Sequence, residues 1–120
     1  ISAPAAAAAT TASTIKTDVS FVTVSNATNA NDRIYLPSPT DVVTGHRIMI
    51  HATEEFELSA KGDGVTATTI NGVAVTNAGG GAIKELAIND DRVLLCVKNG
   101  ANAWLVIDLG GADLADPDAV

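Results

Sequence analysis

Two histidines, His46 and His51, are the first residues of this sequence that could bind a metal or transfer a proton. They stand five positions apart in GHRIMIHA, a segment whose alternating apolar residues predict a β-strand. Successive side chains of a strand point to opposite faces, so this odd spacing places the two rings on opposite sides of a sheet. A metal site needs converging ligands. We therefore predict structural or surface roles for both histidines and no bound metal.

Three carboxylates in HATEEFELSA, those of Glu54, Glu55 and Glu57, could form a metal-binding or general-acid cluster. Catalytic carboxylate pairs require an enclosed cleft that separates their pKa values, and this chain has few residues with which to build one. Glu57 also alternates with Phe56 and Leu58, which is typical of a strand with one solvated face. We interpret the glutamates as part of such a face.

The remaining reactive groups also favour structural interpretations. The single cysteine, Cys96, lies in the apolar run VLLCV, where a buried and inert thiol is expected. Asp63, Asp90 and Asp91 lie in turns, where aspartates commonly bond their own backbone. The sequence GGGAIK at 79–84 lacks the spacer and the hydroxyl residue of a phosphate-binding loop. Because no nucleophile, base and orienting group can be combined, we predict no catalytic residue, no cofactor and no enzyme activity.

Composition limits both the core and the partners of the chain. Of its 120 residues, 47% are hydrophobic but only 3% are aromatic, so we expect an aliphatic core that burial against further copies would stabilise. The formal net charge is −7. Nucleic acids and anionic membranes both bind clustered lysine and arginine, so neither is expected as a partner.

The chain between its two ends reads as a series of short strands. Asn71-Gly72 joins TTI to VAV and is the preferred pair of a type I′ hairpin. The run VLLCV is apolar on both faces, which predicts a central strand covered on two sides, and KNGAN returns the chain into WLVIDL as its antiparallel partner. Turn signals about every 8–12 residues predict an all-β fold, a small antiparallel β-sandwich or barrel of short strands.

Three regions follow from this pattern. Residues 1–17 are rich in alanine and threonine and are predicted to be a flexible, extended N-terminal arm, because a short alanine run is marginal as an isolated helix. Residues 18–110 are predicted to form the β domain, and residues 111–120 an acidic C-terminal tail.

The segments LPSPTDVVTGHRIMI, TINGVAVT and INDDRVLLCVKNGANAWLVIDL resemble, in their order of turns and strand ends, small β domains of bacteriophage virion proteins. Such domains occur in head-decoration proteins, tail fibres and spikes, and are typically homotrimeric. The similarity covers about residues 33–109. It implies a viral structural protein located in the virion, on the capsid exterior or in a tail fibre. Tyr35 and Trp104, which could also stack on a sugar, are predicted to be interface anchors, with a core position for Trp104 as the alternative.

Two functions remain open at this point. The first is a capsid decoration or cement protein that binds the major capsid protein or other virion proteins as a homotrimer and stabilises the head. In that case Ile15, Val19 and Phe21 are predicted to dock on the partner. The alternative is a domain of a tail fibre or spike that recognises a glycan of the host surface through exposed loops.

Overall fold

A computed structural model describes residues 13–24 and 33–111. The chain forms ten strands in these two ranges. The strands are β1 (Ser13–Thr14), β2 (Phe21–Val24), β3 (Arg33–Leu36), β4 (Arg47–Ala52), β5 (Phe56–Ala60), β6 (Thr69–Ile70), β7 (Val73–Ala74), β8 (Leu86–Ile88), β9 (Arg92–Gly100) and β10 (Ala103–Gly111). One turn of 3-10 helix, Pro39–Asp41, separates β3 from β4. Most of the predicted arm, residues 1–12, and the tail from residue 112 lie outside the described residues.

The strands form two sheets, so the prediction of an all-β fold is confirmed. One sheet has four strands in the order β1-β3-β5-β8, and the other has six in the order β2-β4-β9-β10-β6-β7. β3 ends immediately before Pro37, whose ring nitrogen carries no hydrogen to donate to a strand partner.

The prediction of an antiparallel fold is only partly right, because both sheets are mixed. The pairs β1–β3, β3–β5, β2–β4 and β6–β10 are parallel, whereas the other pairs are antiparallel. From β1 to β5 the chain changes sheet at every strand. The strands that become neighbours in one sheet in this way, β1 with β3, β2 with β4 and β3 with β5, run parallel to each other. A period of two in the sequence indicates the face of each side chain but not the direction of the neighbouring strand.

Alternation along the strands builds one core from the inner faces of both sheets. Ile48 and Ile50 point inward from β4, while Phe56 and Leu58 point inward from β5 with Glu57 opposed, as the sequence predicts. The core is aliphatic apart from Phe56, Cys96 and Trp104. Its buried members are Ile15, Val19, Val22, Val24, Ile34, Leu36, Ile48, Ile50, Ala52, Phe56, Leu58, Ala60, Ile70, Val75, Ile88, Leu94, Cys96 and Trp104.

The predicted Asn71-Gly72 hairpin joins β6 to β7 and also holds β10 in place. Both turn residues have a positive φ, 53° at Asn71 and 82° at Gly72, as a type I′ turn requires. The Asn71 amide then imitates a strand neighbour of Val106: its Nδ2 donates to the Val106 carbonyl at 3.1 Å, and its Oδ1 accepts from the Val106 amide at 2.8 Å. The turn between β6 and β7 is therefore also hydrogen-bonded to the long strand β10.

The longest pairing is the predicted hairpin of β9 and β10, which has nine residues in each strand. At its open end, the Arg92 guanidinium contacts both carboxylate oxygens of Asp108, with a closest distance of 2.9 Å. These hydrogen bonds from Arg92, together with one from the Gly110 amide, lower the pKa of Asp108. The hairpin also pairs with β4, so it connects the two halves of the chain.

Candidate functional site

Ile15 and Val19, two residues predicted to dock on a partner, belong instead to the core of the chain. Both are fully buried, and the Ile15 amide donates to the Tyr35 carbonyl at 2.9 Å beside the parallel pair β1–β3. A turn at 17–18 precedes Val19, and the strand β2 begins only at Phe21. Of the three predicted docking residues, only Phe21 is accessible, with 51% of its surface exposed.

Trp104 is likewise a core residue and does not present its ring to a partner. It is 0% exposed, and its Nε1 donates to the Pro37 carbonyl at 3.1 Å. The ring of His46 meets it edge to face, with 6.5 Å between the ring centroids. The alternative interpretation of a lone tryptophan at a strand start, a core position, is therefore the correct one.

Tyr35 lies on the outer face of the four-stranded sheet but is covered by side chains of its own chain. The Arg33 Nη1 donates to the Tyr35 hydroxyl at 3.2 Å, and the Lys61 Nζ lies 4.1 Å from the centroid of its ring. Both cations stabilise the ring where it lies. Tyr35 is therefore nearly buried within one chain and is a poor candidate for an interface anchor.

The histidines and the glutamates do not converge on a site. His46 contacts Trp104 on the inner side of β4, and His51 takes the outward side, as the odd spacing predicts. Glu57 is half-buried rather than fully solvated; burial, and then a hydrogen bond with Glu85, raise its pKa. Glu85 in turn pairs with Arg33 at 3.3 Å. Within residues 13–24 and 33–111 there is no group of three metal-ligating side chains and no pocket.

Asp63 has the local role that the sequence predicts for an aspartate in a turn. Its Oδ1 accepts hydrogen bonds from the amides of Val65 and Thr66, each at 2.8 Å. These two hydrogen bonds lower the pKa of the Asp63 carboxyl, and the bond from Thr66 has the larger effect. The carboxylate shapes the loop between β5 and β6, as expected for an aspartate that bonds its own backbone.

Cys96 is inert because it lies in the core, and burial raises the pKa of its thiol to about 12. An unfolded thiol ionises at about 8.5. The folded chain thus keeps the proton between these two values, so the stability contributed by this group is complete below about pH 8.5 and is lost as the pH rises towards 12. At pH 8 we expect iodoacetamide to leave the native protein unlabelled and to add one group per chain in denaturant, as measured by mass spectrometry. Rapid labelling of the native protein would contradict this burial.

The outer side of the six-stranded sheet faces away from the four-stranded sheet and carries partly exposed apolar side chains. Eight apolar side chains point outward there, because their strand neighbours point into the core. We call this set the outer apolar face: Phe21, Met49, Val93, Leu95, Val97, Leu105, Ile107 and Leu109. Each of the four strands β2, β4, β9 and β10 contributes to it.

Strand register aligns this surface into rows across the sheet. Phe21 lies opposite Met49, Met49 opposite Leu95, and Leu95 opposite Ile107, so one apolar row crosses four strands. Ile107 is still 39% exposed in the middle of the surface. Covering the exposed remainder of each such side chain would contribute about 1 kcal/mol, because complete burial contributes about 1.5–3 kcal/mol. Partly exposed apolar side chains aligned in this way are typical of surfaces that bind another protein.

The sequence did contain a signal for this surface. VLLCV is apolar at both odd and even positions, which predicts a strand covered on two sides. One side of β9, with Leu94 and Cys96, is covered by the core, whereas Val93, Leu95 and Val97 on the other side are only half-buried. The prediction is thus met on one face within the described part of the chain, and the second face is available to a partner.

The chain matches no protein-family model, no curated protein and no solved structure. Among the described residues, no helix is long and apolar enough to cross a bilayer.

Proposed function

We propose that this chain is a structural protein of a bacteriophage virion and that it acts through assembly. The observation that carries the proposal is the outer apolar face, in which half-exposed side chains are aligned across four strands. The largest contiguous apolar surface of a soluble protein is often a site where another molecule binds. The resemblance of residues 33–109 to virion β domains supports the virion as the setting in which the chain assembles.

Within the virion, capsid decoration is the role that we propose. The protein forms a homotrimer on the outside of the head, contacts the major capsid protein and holds neighbouring capsid subunits together. A trimer attaches at three points at once, so weak individual contacts add up to stable binding. The acidic surface keeps the free protein soluble before it meets the shell.

The proposal is tested by mixing the purified protein with capsids that lack decoration. We expect it to cosediment with the shells, to saturate at a fixed number of copies per shell, and to occupy symmetric positions in electron micrographs. Binding to host cells in place of shells would favour the alternative, a tail-fibre or spike domain that recognises a surface glycan. Binding to neither would contradict both forms of the proposal.

A further inference from the structure

We infer that the outer apolar face is the surface through which copies of this chain bind one another. The inference rests on the proposed function, since it identifies the contact that would hold the trimer together. It also separates two roles, because a face buried between copies is no longer available to the shell. The capsid would then be bound through another part of the chain.

Charge favours a second copy as the occupant of this face. The chain has 14 acidic and 7 basic residues, so two copies that meet through an average part of their surfaces bring carboxylates together. The outward positions of β2, β4, β9 and β10 carry no carboxylate, and Arg47 and His51 are their only titratable side chains. Two copies therefore meet at this face without repulsion between acidic groups.

The size of the face also suits contact between copies. Four strands at a spacing of about 4.8 Å, and three rows of side chains along them, give a projected area of roughly 300 Å². A stable interface buries about 800 Å² on each partner and consists of an apolar core within a polar rim. The outer apolar face has the dimensions of such a core, with Arg47, His51 and Thr23 at its margin.

The arrangement of the rows is compatible with threefold symmetry. If three copies turn this face towards a common axis, each sheet contacts both of its neighbours and the apolar rows enclose a second core. Met49 lies within the central row, and its flexible side chain adapts to the irregular space where three sheets meet.

A charge placed on the face should separate the copies. We would replace Ile107, which is 39% exposed, in an Ile107→Lys variant, and use Val65→Lys as the control because Val65 is 76% exposed in the loop between β5 and β6. Both variants add one positive charge. Molar mass is measured by light scattering after size exclusion at micromolar concentration. We expect a trimer for the parent chain and for the control, and a monomer for Ile107→Lys, with association weakened about 100-fold or more by an unpaired charge in an apolar contact.

The outcomes distinguish this inference from the proposed function. A folded Ile107→Lys protein that is still trimeric overturns the inference but not the virion role, and it does so equally if that variant has lost binding to capsids. A parent chain that is monomeric overturns both the inference and the proposed trimer. Circular dichroism verifies folding of each variant. If Ile107→Lys does not fold, Phe21→Ser tests the same face from its edge, where the side chain contributes little to the core.

Discussion

Replacement of Trp104 by alanine is expected to lower the free energy of unfolding by about 3–5 kcal/mol, the range found when large aromatic side chains are removed from cores. Trp104 is completely buried and is the largest side chain in the core. Its removal leaves a cavity between the two sheets and deprives the Pro37 carbonyl of its donor. Urea denaturation followed by circular dichroism measures the change, because the only tryptophan fluorophore is lost with the mutation.

A Trp104→Phe variant separates the two contributions. Phenylalanine fills most of the cavity but cannot donate a hydrogen bond, so we expect a smaller loss of about 1–3 kcal/mol, the cost of leaving a buried acceptor unpaired. If Trp104→Ala changed the stability by less than 1 kcal/mol, an interface position would again be the better interpretation of Trp104.

Replacement of Ile15 by alanine is expected to cost about 2–5 kcal/mol, as for other buried isoleucines. Ile15 lies in the last part of the predicted arm, yet it is fully buried and its amide bonds to β3. Lys16→Ala is the matched control, because the neighbouring Lys16 is exposed and its truncation should have little effect. Thermal and urea denaturation of the two variants provide the comparison. If the two variants were equally stable, the assignment of Ile15 to the core would be wrong.

The burial of Ile15 also changes how the arm should be shortened. Deletion of residues 1–17 removes β1 together with Ile15, so we expect it to destabilise the domain at least as much as Ile15→Ala. Deletion of residues 1–12 removes no residue of a described strand. We therefore expect the shorter deletion to preserve the trimer, and binding of this protein to capsids then tests directly whether the arm contacts the shell.

Local pattern was enough to predict which way most side chains point. Alternation correctly separated Ile48 and Ile50 from His51, and the Asn71-Gly72 pair correctly predicted a hairpin, because both depend on residues close in sequence. The direction of paired strands could not be predicted in this way. Parallel pairing of β2 with β4 depends on the route of the intervening chain through the other sheet, which alternation does not encode.

The candidate site was harder to predict, because the type of a residue does not reveal which surface covers it. Trp104 and Ile15 are apolar side chains that could be buried by their own chain or by a partner, and only the packing of the two sheets decides between these. The apolar residues at both odd and even positions of VLLCV indicated that both faces of this strand are apolar. Which face of this strand stays uncovered depends on the side on which the four-stranded sheet packs. That packing depends on contacts between residues distant in sequence.

The alternation of β1 to β5 between two sheets has a consequence for how the chain acquires its fold. None of these five strands pairs with the strand that follows it, so they cannot form as simple hairpins. β9 and β10 can, since a short turn joins them, and β9 also supplies the antiparallel neighbour of β4. Loops that must close over long distances form slowly. During synthesis β1 to β5 leave the ribosome before β9 and β10. We therefore expect β4 to pair within its sheet only after the β9–β10 hairpin has been made.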